Sequence, residues 1–204
     1  MNTTAAHERR CSSIPASAGM TGETMTTTAN DDLKALIRTI PDFPRPGIQF
    51  RDITTLLLDA RGFAAAIERL AGRVAGPPDL VAGIEARGFV VAAALAHRLG
   101  AGLLLIRKDG KLPGATIAED YALEYGTDRL AIHIDACAPG ARVLLADDLL
   151  ATGGTALAAA RLLRRAGAAV SEAAFIVDLP ELGGAAQLSE AGVAVHALVE
   201  FEGE

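Results

Sequence analysis

The sequence predicts an α/β fold, a mostly parallel central sheet flanked by helices. Three observations predict it. Short apolar runs at 80–84, 103–106, 143–146, 173–177 and 193–199 alternate with helix-like segments at 88–99, 156–166 and 182–191, the rhythm of strand–helix–strand units with right-handed crossovers. The run 143–146 is apolar throughout, as in a buried strand. The 204 residues, 50% hydrophobic and 22% charged, suffice for one domain with its own core.

Each element has a local reason. Residues 1–30, rich in Thr, Ser, Ala and Gly and holding all three methionines, are expected to form a disordered extension, either an overlong start or a functional tail. The domain is then 31–204. Asp31 and Asp32 suit a helix start, and Leu33, Leu36, Ile37 and Ile40 follow at helical spacing. The segment PDFPRPG at 41–47 must be non-helical. Asp59 is placed to cap a helix over 61–74 with Phe63, Ile67, Leu70 and Val74 on one face. Residues 107–126 are polar and interrupted by Gly110, Pro113 and Gly114, which predicts a loop. Leu130, Ile132 and Ile134 alternate with polar residues, as in a half-exposed strand.

Composition excludes some functions. Nineteen basic against 25 acidic residues give a net charge of −6 and an isoelectric point near 5.3, which argues against a nucleic-acid-binding surface but allows a local basic pocket. No apolar run reaches the roughly 18–20 residues of a membrane span. With only Cys11 and Cys137, neither a disulfide framework nor a metal cluster is indicated, and a cytoplasmic location is expected.

Ligands of parallel α/β sheets bind beyond the carboxyl ends of the strands. There lies the most informative string, VLLADDLLATGGT at 143–155. Gly153 and Gly154 let the backbone turn tightly, the following helix start aims free N–H groups at one point, and Thr152 and Thr155 add hydroxyls, so this is a phosphate cradle. The Lys of the Walker pattern is missing. Two carboxylates, Asp147 and Asp148, would repel a bare phosphate; they suit a phosphorylated five-carbon sugar whose hydroxyls they accept, or a site with Mg²⁺. The plain alternative is a capped strand–turn–helix with solvated acids.

That string resembles the phosphoribosyl-pyrophosphate motif of type I phosphoribosyltransferases. FPRPGIQFRD at 43–52, EARGF at 85–89, RKDGKLPG at 107–114 and LEYG at 123–126 resemble, in order and spacing, the adenine phosphoribosyltransferases. The resemblance runs from about residue 32 to the C-terminus. It implies the type I phosphoribosyltransferase fold, with a small N-terminal hood over 31–60 that recognises the base and a flexible lid loop over 107–126. The implied reaction is adenine plus phosphoribosyl pyrophosphate giving AMP and pyrophosphate. Implied with it are Mg²⁺, held mainly by substrate oxygens and water rather than by protein ligands, and a homodimer.

The same resemblance distributes roles. Asp147, Asp148, Ala151, Thr152, Gly153, Gly154 and Thr155 would hold the ribose and its 5-phosphate. Glu85, Ala86, Arg87, Arg107, Lys108 and Lys111 would bind the pyrophosphate. Glu124 would transfer the proton at the purine, with Asp147 its rival, and Tyr125 would reach the activated sugar from the lid. Phe50 would stack on the base, read through main-chain groups of Gln49 and Arg51. Gln49 departs from the usual aliphatic residue, which leaves open a side-chain contact with the base. Two alternatives stand beside this assignment: another purine such as hypoxanthine or xanthine, and a regulator that senses phosphoribosyl pyrophosphate.

Overall fold

The computed structural model describes residues 30–122 and 126–203. Its first element, α1 (Asp31–Lys34), is a single turn. The chain then enters β1 (Arg38–Pro41), which pairs antiparallel with β2 (Gln49–Asp52), Ile40 facing Phe50. The helix expected to reach Ile40 therefore stops early. Thr39 and Ile40 are β-branched and Pro41 disfavours helical geometry in the residue before it. Leu33 and Ile37 are buried all the same. This two-stranded hairpin lies within the segment 31–60 expected to form the hood.

Helices α2 (Thr54–Leu58) and α3 (Ala60–Ala71) follow. Asp52 accepts the Thr54 N–H at 2.9 Å, and Asp59 caps α3 by accepting the Gly62 N–H at 2.7 Å. The strand–helix alternation then begins with β3 (Leu80–Ile84), α4 (Gly88–Leu99) and β4 (Gly102–Lys108), matching the expected bounds closely. Next come β5 (Thr116–Ala122), β6 (Thr127–His133), β7 (Arg142–Leu150), α5 (Gly154–Arg165) and β8 (Ala169–Asp178). A 3-10 turn (Pro180–Leu182), α6 (Gly184–Glu190) and β9 (Ala194–Glu200) complete the chain.

The main sheet has the order β5-β6-β4-β3-β7-β8-β9. Strands β4, β3, β7, β8 and β9 run parallel, and the antiparallel β5–β6 hairpin extends one edge. One face is packed by Leu33, Ile67, Leu70, Val91 and Leu95, the other by Leu162, Leu163 and Leu188. Among the described residues no helix is long and apolar enough to cross a membrane.

Two expectations are corrected. The segment 107–126 is not a loop throughout, because β5 occupies Thr116–Ala122 and pairs with β6 along its whole length. Its apolar residues Ile117 and Tyr121 stand four apart, on one face, and pack against the core. Nor does β7 end at Ala146. It continues through both acids to Leu150, because β8 keeps pairing with it: Asp147 with Phe175, Leu149 with Val177, Leu150 with Asp178.

Candidate active site

The extension of β7 makes the site. On the β3 side its pairing stops at Gly83–Ala146, whereas on the β8 side it runs to Leu150–Asp178. Asp147 and Asp148 therefore stand on a strand with one open edge, above the carboxyl end of β3. A cavity of about 490 Å³ opens there. It is lined by Glu85, Ala86 and Arg87 after β3, by Lys108 at the end of β4, by Asp147 to Ala156, and by Tyr121 and Asp128 from the hairpin.

The loop at its floor has little freedom. Gly153 has φ +84°, and a Cβ there would lie 2.9 Å from Gly184 Cα and 3.0 Å from Gly184 O. A Cβ on Gly184 would in turn meet Ala151 O at 2.3 Å, while the Gly184 N–H donates to that carbonyl at 3.1 Å. The start of α6 is thus pressed, backbone on backbone, against the loop. Leu157 N–H donates to Gly153 O at 2.8 Å, which fixes where α5 begins. The N–H groups of Gly154, Thr155 and Ala156 belong to the first turn, which has no intrahelical acceptors, and these residues line the cavity. A helix N-terminus arranged this way can accept an anion.

The charged groups are paired. Arg87 Nε donates to Asp148 Oδ2 at 2.5 Å, and Asp148 is only 4% exposed. Burial, and next the neighbouring Asp148 carboxylate, push the half-buried Asp147 carboxyl well above the usual carboxylate range. Its Oδ1 accepts the Asp148 N–H at 2.9 Å, and a Cβ on Gly88 would stand 2.6 Å from that oxygen, so only glycine fits there. Glu85 receives Arg107 through two bonds, Nε and Nη2 each at 3.2 Å, and also accepts the Lys108 N–H at 3.0 Å. Arg107 chiefly holds the Glu85 carboxyl below its ordinary value. Lys108 Nζ lies 2.8 Å from Asp128 Oδ2, which also accepts the Tyr121 hydroxyl at 3.1 Å.

The predicted cations therefore divide. Arg87 and Lys108 line the cavity, but Arg107 and Lys111 do not; Arg107 stands behind Glu85, with Nη1 donating to Lys111 O at 3.3 Å. Phe50 lies outside the lining but adjoins it, with the Arg87 guanidinium carbon 5.2 Å from its ring centroid and Phe43 edge-on at 5.2 Å. Along β2 side chains alternate, so Gln49 projects to the face opposite Phe50, with Arg51. Glu124 and Tyr125 lie outside the described residues, as does the expected N-terminal extension up to residue 29. Sequence reasoning missed Asp128 and Gly184, which only the fold brings to the site. Among the described residues no histidine lines this cavity, and His196 pairs with Glu172 at 2.8 Å.

Among the described residues no group of three or more His, Cys, Asp or Glu side chains converges as a metal site. Asp147 and Asp148 beside an anion cradle still suit Mg²⁺, which keeps water and substrate oxygens as ligands and takes few from protein.

Comparison with known proteins agrees with this geometry. The phosphoribosyl transferase domain family matches residues 53–187. An adenine phosphoribosyltransferase of Maricaulis maris (strain MCS10) is 60% identical over 173 residues, 84% of this chain and 99% of that protein. One from Rhodopseudomonas palustris (strain BisB18) is 58% identical over 180 residues, 88% of this chain and 90% of that protein. The crystal structure of adenine phosphoribosyltransferase from Rhodothermus marinus DSM 4252 superposes with a TM-score of 0.80 at 50% identity, covering 85% of this chain and 99% of that one. Agreement this long spans the β1–β2 hairpin, the acid-bearing strand and its loop together, so the chain belongs to the phosphoribosyltransferase family, among its adenine phosphoribosyltransferases.

Proposed function

We propose that this chain transfers the 5-phosphoribosyl group of phosphoribosyl pyrophosphate to adenine, releasing AMP and pyrophosphate as a step of purine salvage. The observation that carries this reading is β7, which runs two carboxylates past the end of β3 and straight into a glycine-pinned helix N-terminus. A phosphate at the first turn of α5 would leave its pentose hydroxyls beside Asp147 and Asp148. Pyrophosphate at the anomeric carbon would then meet Arg87, Lys108 and the backbone at Glu85 and Ala86. Mg²⁺, when bound, supplies positive charge to the departing pyrophosphate.

The base would stack on Phe50 and be read by main-chain groups of Gln49 and Arg51. Because Gln49 projects away from Phe50, its amide is kept out of the base site, which supports adenine despite the unusual residue. Glu124 serves as proton-transfer group at the purine, with Asp147 its rival, and Tyr125 belongs to a lid within 107–126 that excludes water. Arg107 and Lys111 act on the pyrophosphate from behind Glu85, or in the site of a second subunit. A homodimer in the cytosol completes the reading. Leu103 and Leu105, 43% and 41% exposed on one face of β4, offer an apolar surface for the second copy. L103E/L105E should convert a dimer to a monomer in sedimentation, and an unchanged dimer would move the interface elsewhere.

The deciding test is incubation with phosphoribosyl pyrophosphate, Mg²⁺ and adenine, hypoxanthine, guanine or xanthine in turn. AMP from adenine is expected. Nucleotide only from another base would change the substrate, and none from any base would overturn the proposal.

A further inference from the structure

In this reaction two parts of the molecule must meet. The sheet holds the activated sugar and the hood holds the base, and transfer requires reacting atoms roughly 3–3.5 Å apart. A two-stranded hairpin is marginally stable by itself. Something outside it must set its position against the sheet.

The structure supplies a post on each face of β2. On the Phe50 face stands Arg87, joined to Asp148 of β7. On the opposite face Arg51 reaches the end of the chain. Its guanidinium carbon lies 4.5 Å from the ring centroid of Phe201, its Nη2 donates to Glu202 O at 2.9 Å, and its Nη1 donates to Thr39 Oγ1 at 2.7 Å across the hairpin. Lys34 Nζ lies 4.8 Å from the same ring centroid. Phe201 is itself fixed to the sheet. It follows β9 directly, its N–H donates to Asp178 O at 3.1 Å, and its side chain is buried with Leu33, Ile37 and Ile53. Arg51 Nε is buried without a partner, so the guanidinium is kept in place by these contacts although one donor goes unused.

We propose that Phe201 is a positioning residue for base recognition: through Arg51 it fixes the β1–β2 hairpin to the carboxyl end of β8 and β9, and so sets Phe50 over the sugar site. The inference rests on the reading of the hood as the adenine site. Phe201 touches no substrate; it acts chiefly through Arg51, on the hood and not on the phosphate loop.

Phe201→Leu fills the core but removes the aromatic face. It should raise KM for adenine about five- to tenfold, the effect of losing stabilising cation–π contacts. KM for phosphoribosyl pyrophosphate should stay within about twofold. Phe201→Tyr, which keeps the ring, should restore adenine KM to near the unsubstituted value. Backbone amides of Phe50 and Asp52 should exchange faster with solvent in Phe201→Leu, while those of β7 do not change. An unchanged adenine KM in Phe201→Leu, an equal rise in both KM values, or failure of Phe201→Tyr to rescue would overturn the inference. If the unsubstituted protein makes no AMP, the adenine reading fails by itself; equal amide exchange in the hood of Phe201→Leu and of the unsubstituted protein would then overturn this one.

Discussion

Gly153→Ala tests whether the phosphate loop is held by the start of α6. Gly153 has φ +84°, and a non-glycine residue there costs about 1–3 kcal/mol. The new methyl would also stand 2.9 Å from Gly184 Cα and 3.0 Å from Gly184 O. Those are backbone atoms that no rotamer change can clear, and overpacking of this kind costs about 1–3 kcal/mol more. The sum, about 2–6 kcal/mol, has two outlets. If the loop keeps its shape, the fold bears the cost, and about 2 kcal/mol lowers the melting temperature of a domain this size by roughly 4–8 °C. If the loop moves off α6, the helix N–H groups lose their alignment, and a loss of about 1.4 kcal/mol in ligand binding raises KM for phosphoribosyl pyrophosphate tenfold. Thermal unfolding and steady-state kinetics read the two outlets together. Gly183→Ala is the control: its φ is +75° but a Cβ there meets nothing within 4 Å, so it carries the backbone cost without the crowding. A Gly153→Ala protein no worse than Gly183→Ala in both assays would refute the packing account.

Three further outcomes follow from named groups. Asp148→Asn removes the carboxylate that holds Arg87 and faces the sugar; KM for phosphoribosyl pyrophosphate should rise about tenfold or more with adenine KM little changed, and normal saturation would end the ribose role. Glu124→Ala should lower kcat by about 10²-fold, more than it raises adenine KM, and the reverse pattern would make Glu124 a binding group. Arg38 first, then Thr54, hold the Asp52 carboxyl down at about 2, so its contribution to stability is present above the unfolded value near 3.9 and is lost as pH falls toward 2. Asp52 is almost fully buried, and the shift corresponds to about 2 kcal/mol, so Asp52→Asn should be destabilising by that much in urea at pH 6 and nearly neutral near pH 2. A stability difference independent of pH would remove the ion pair as its cause.

Much of this was legible in the sequence where local chemistry decides. The apolar run of β3, its abrupt end at Glu85 and the glycine that opens α4 set all three boundaries. Asp59 announced α3 because capping is a matter of three residues. The hood was harder to read. Leu33, Leu36 and Ile37 fit a helix as well as they fit one turn leading into a strand, and only the pairing of Ile40 with Phe50 decides between them. Strand β5 was hidden because its buried residues are few and the glycines before it suggested a loop. The cation cluster at 107–111 divided for a reason inherent in strands: Arg107 and Lys108 are consecutive, so they point to opposite sides. Asp128 and Gly184 gave no signal because their roles depend on partners twenty or more residues away in the chain, Lys108 and Ala151.

The paired cations show how a protein of net charge −6 could present the polyanion site proposed above. Arg87 is held by Asp148, Lys108 by Asp128 and Arg107 by Glu85, each by a carboxylate from a different segment of the chain. The acids therefore orient the cations before any ligand arrives, and the entropy of fixing long side chains is lost during folding instead of at binding. Such pairing would defeat itself if each cation had to release its acid to accept a phosphate, since two unit charges at 4 Å attract by about 4 kcal/mol at an effective dielectric constant of 20. A guanidinium escapes this conflict. It carries five donors, and the bond to Asp148 uses only Nε. Arg87 can keep Asp148 while its remaining donors stay free for an anion, which in the proposed reaction would be the departing pyrophosphate. An ammonium in its place, a compact charge on a flexible stem, would share its three donors without that fixed planar geometry. Arg87, just before α4, thus joins Phe50 and Asp148 through one rigid plane, and in the proposed reaction that plane would link base, sugar and leaving group.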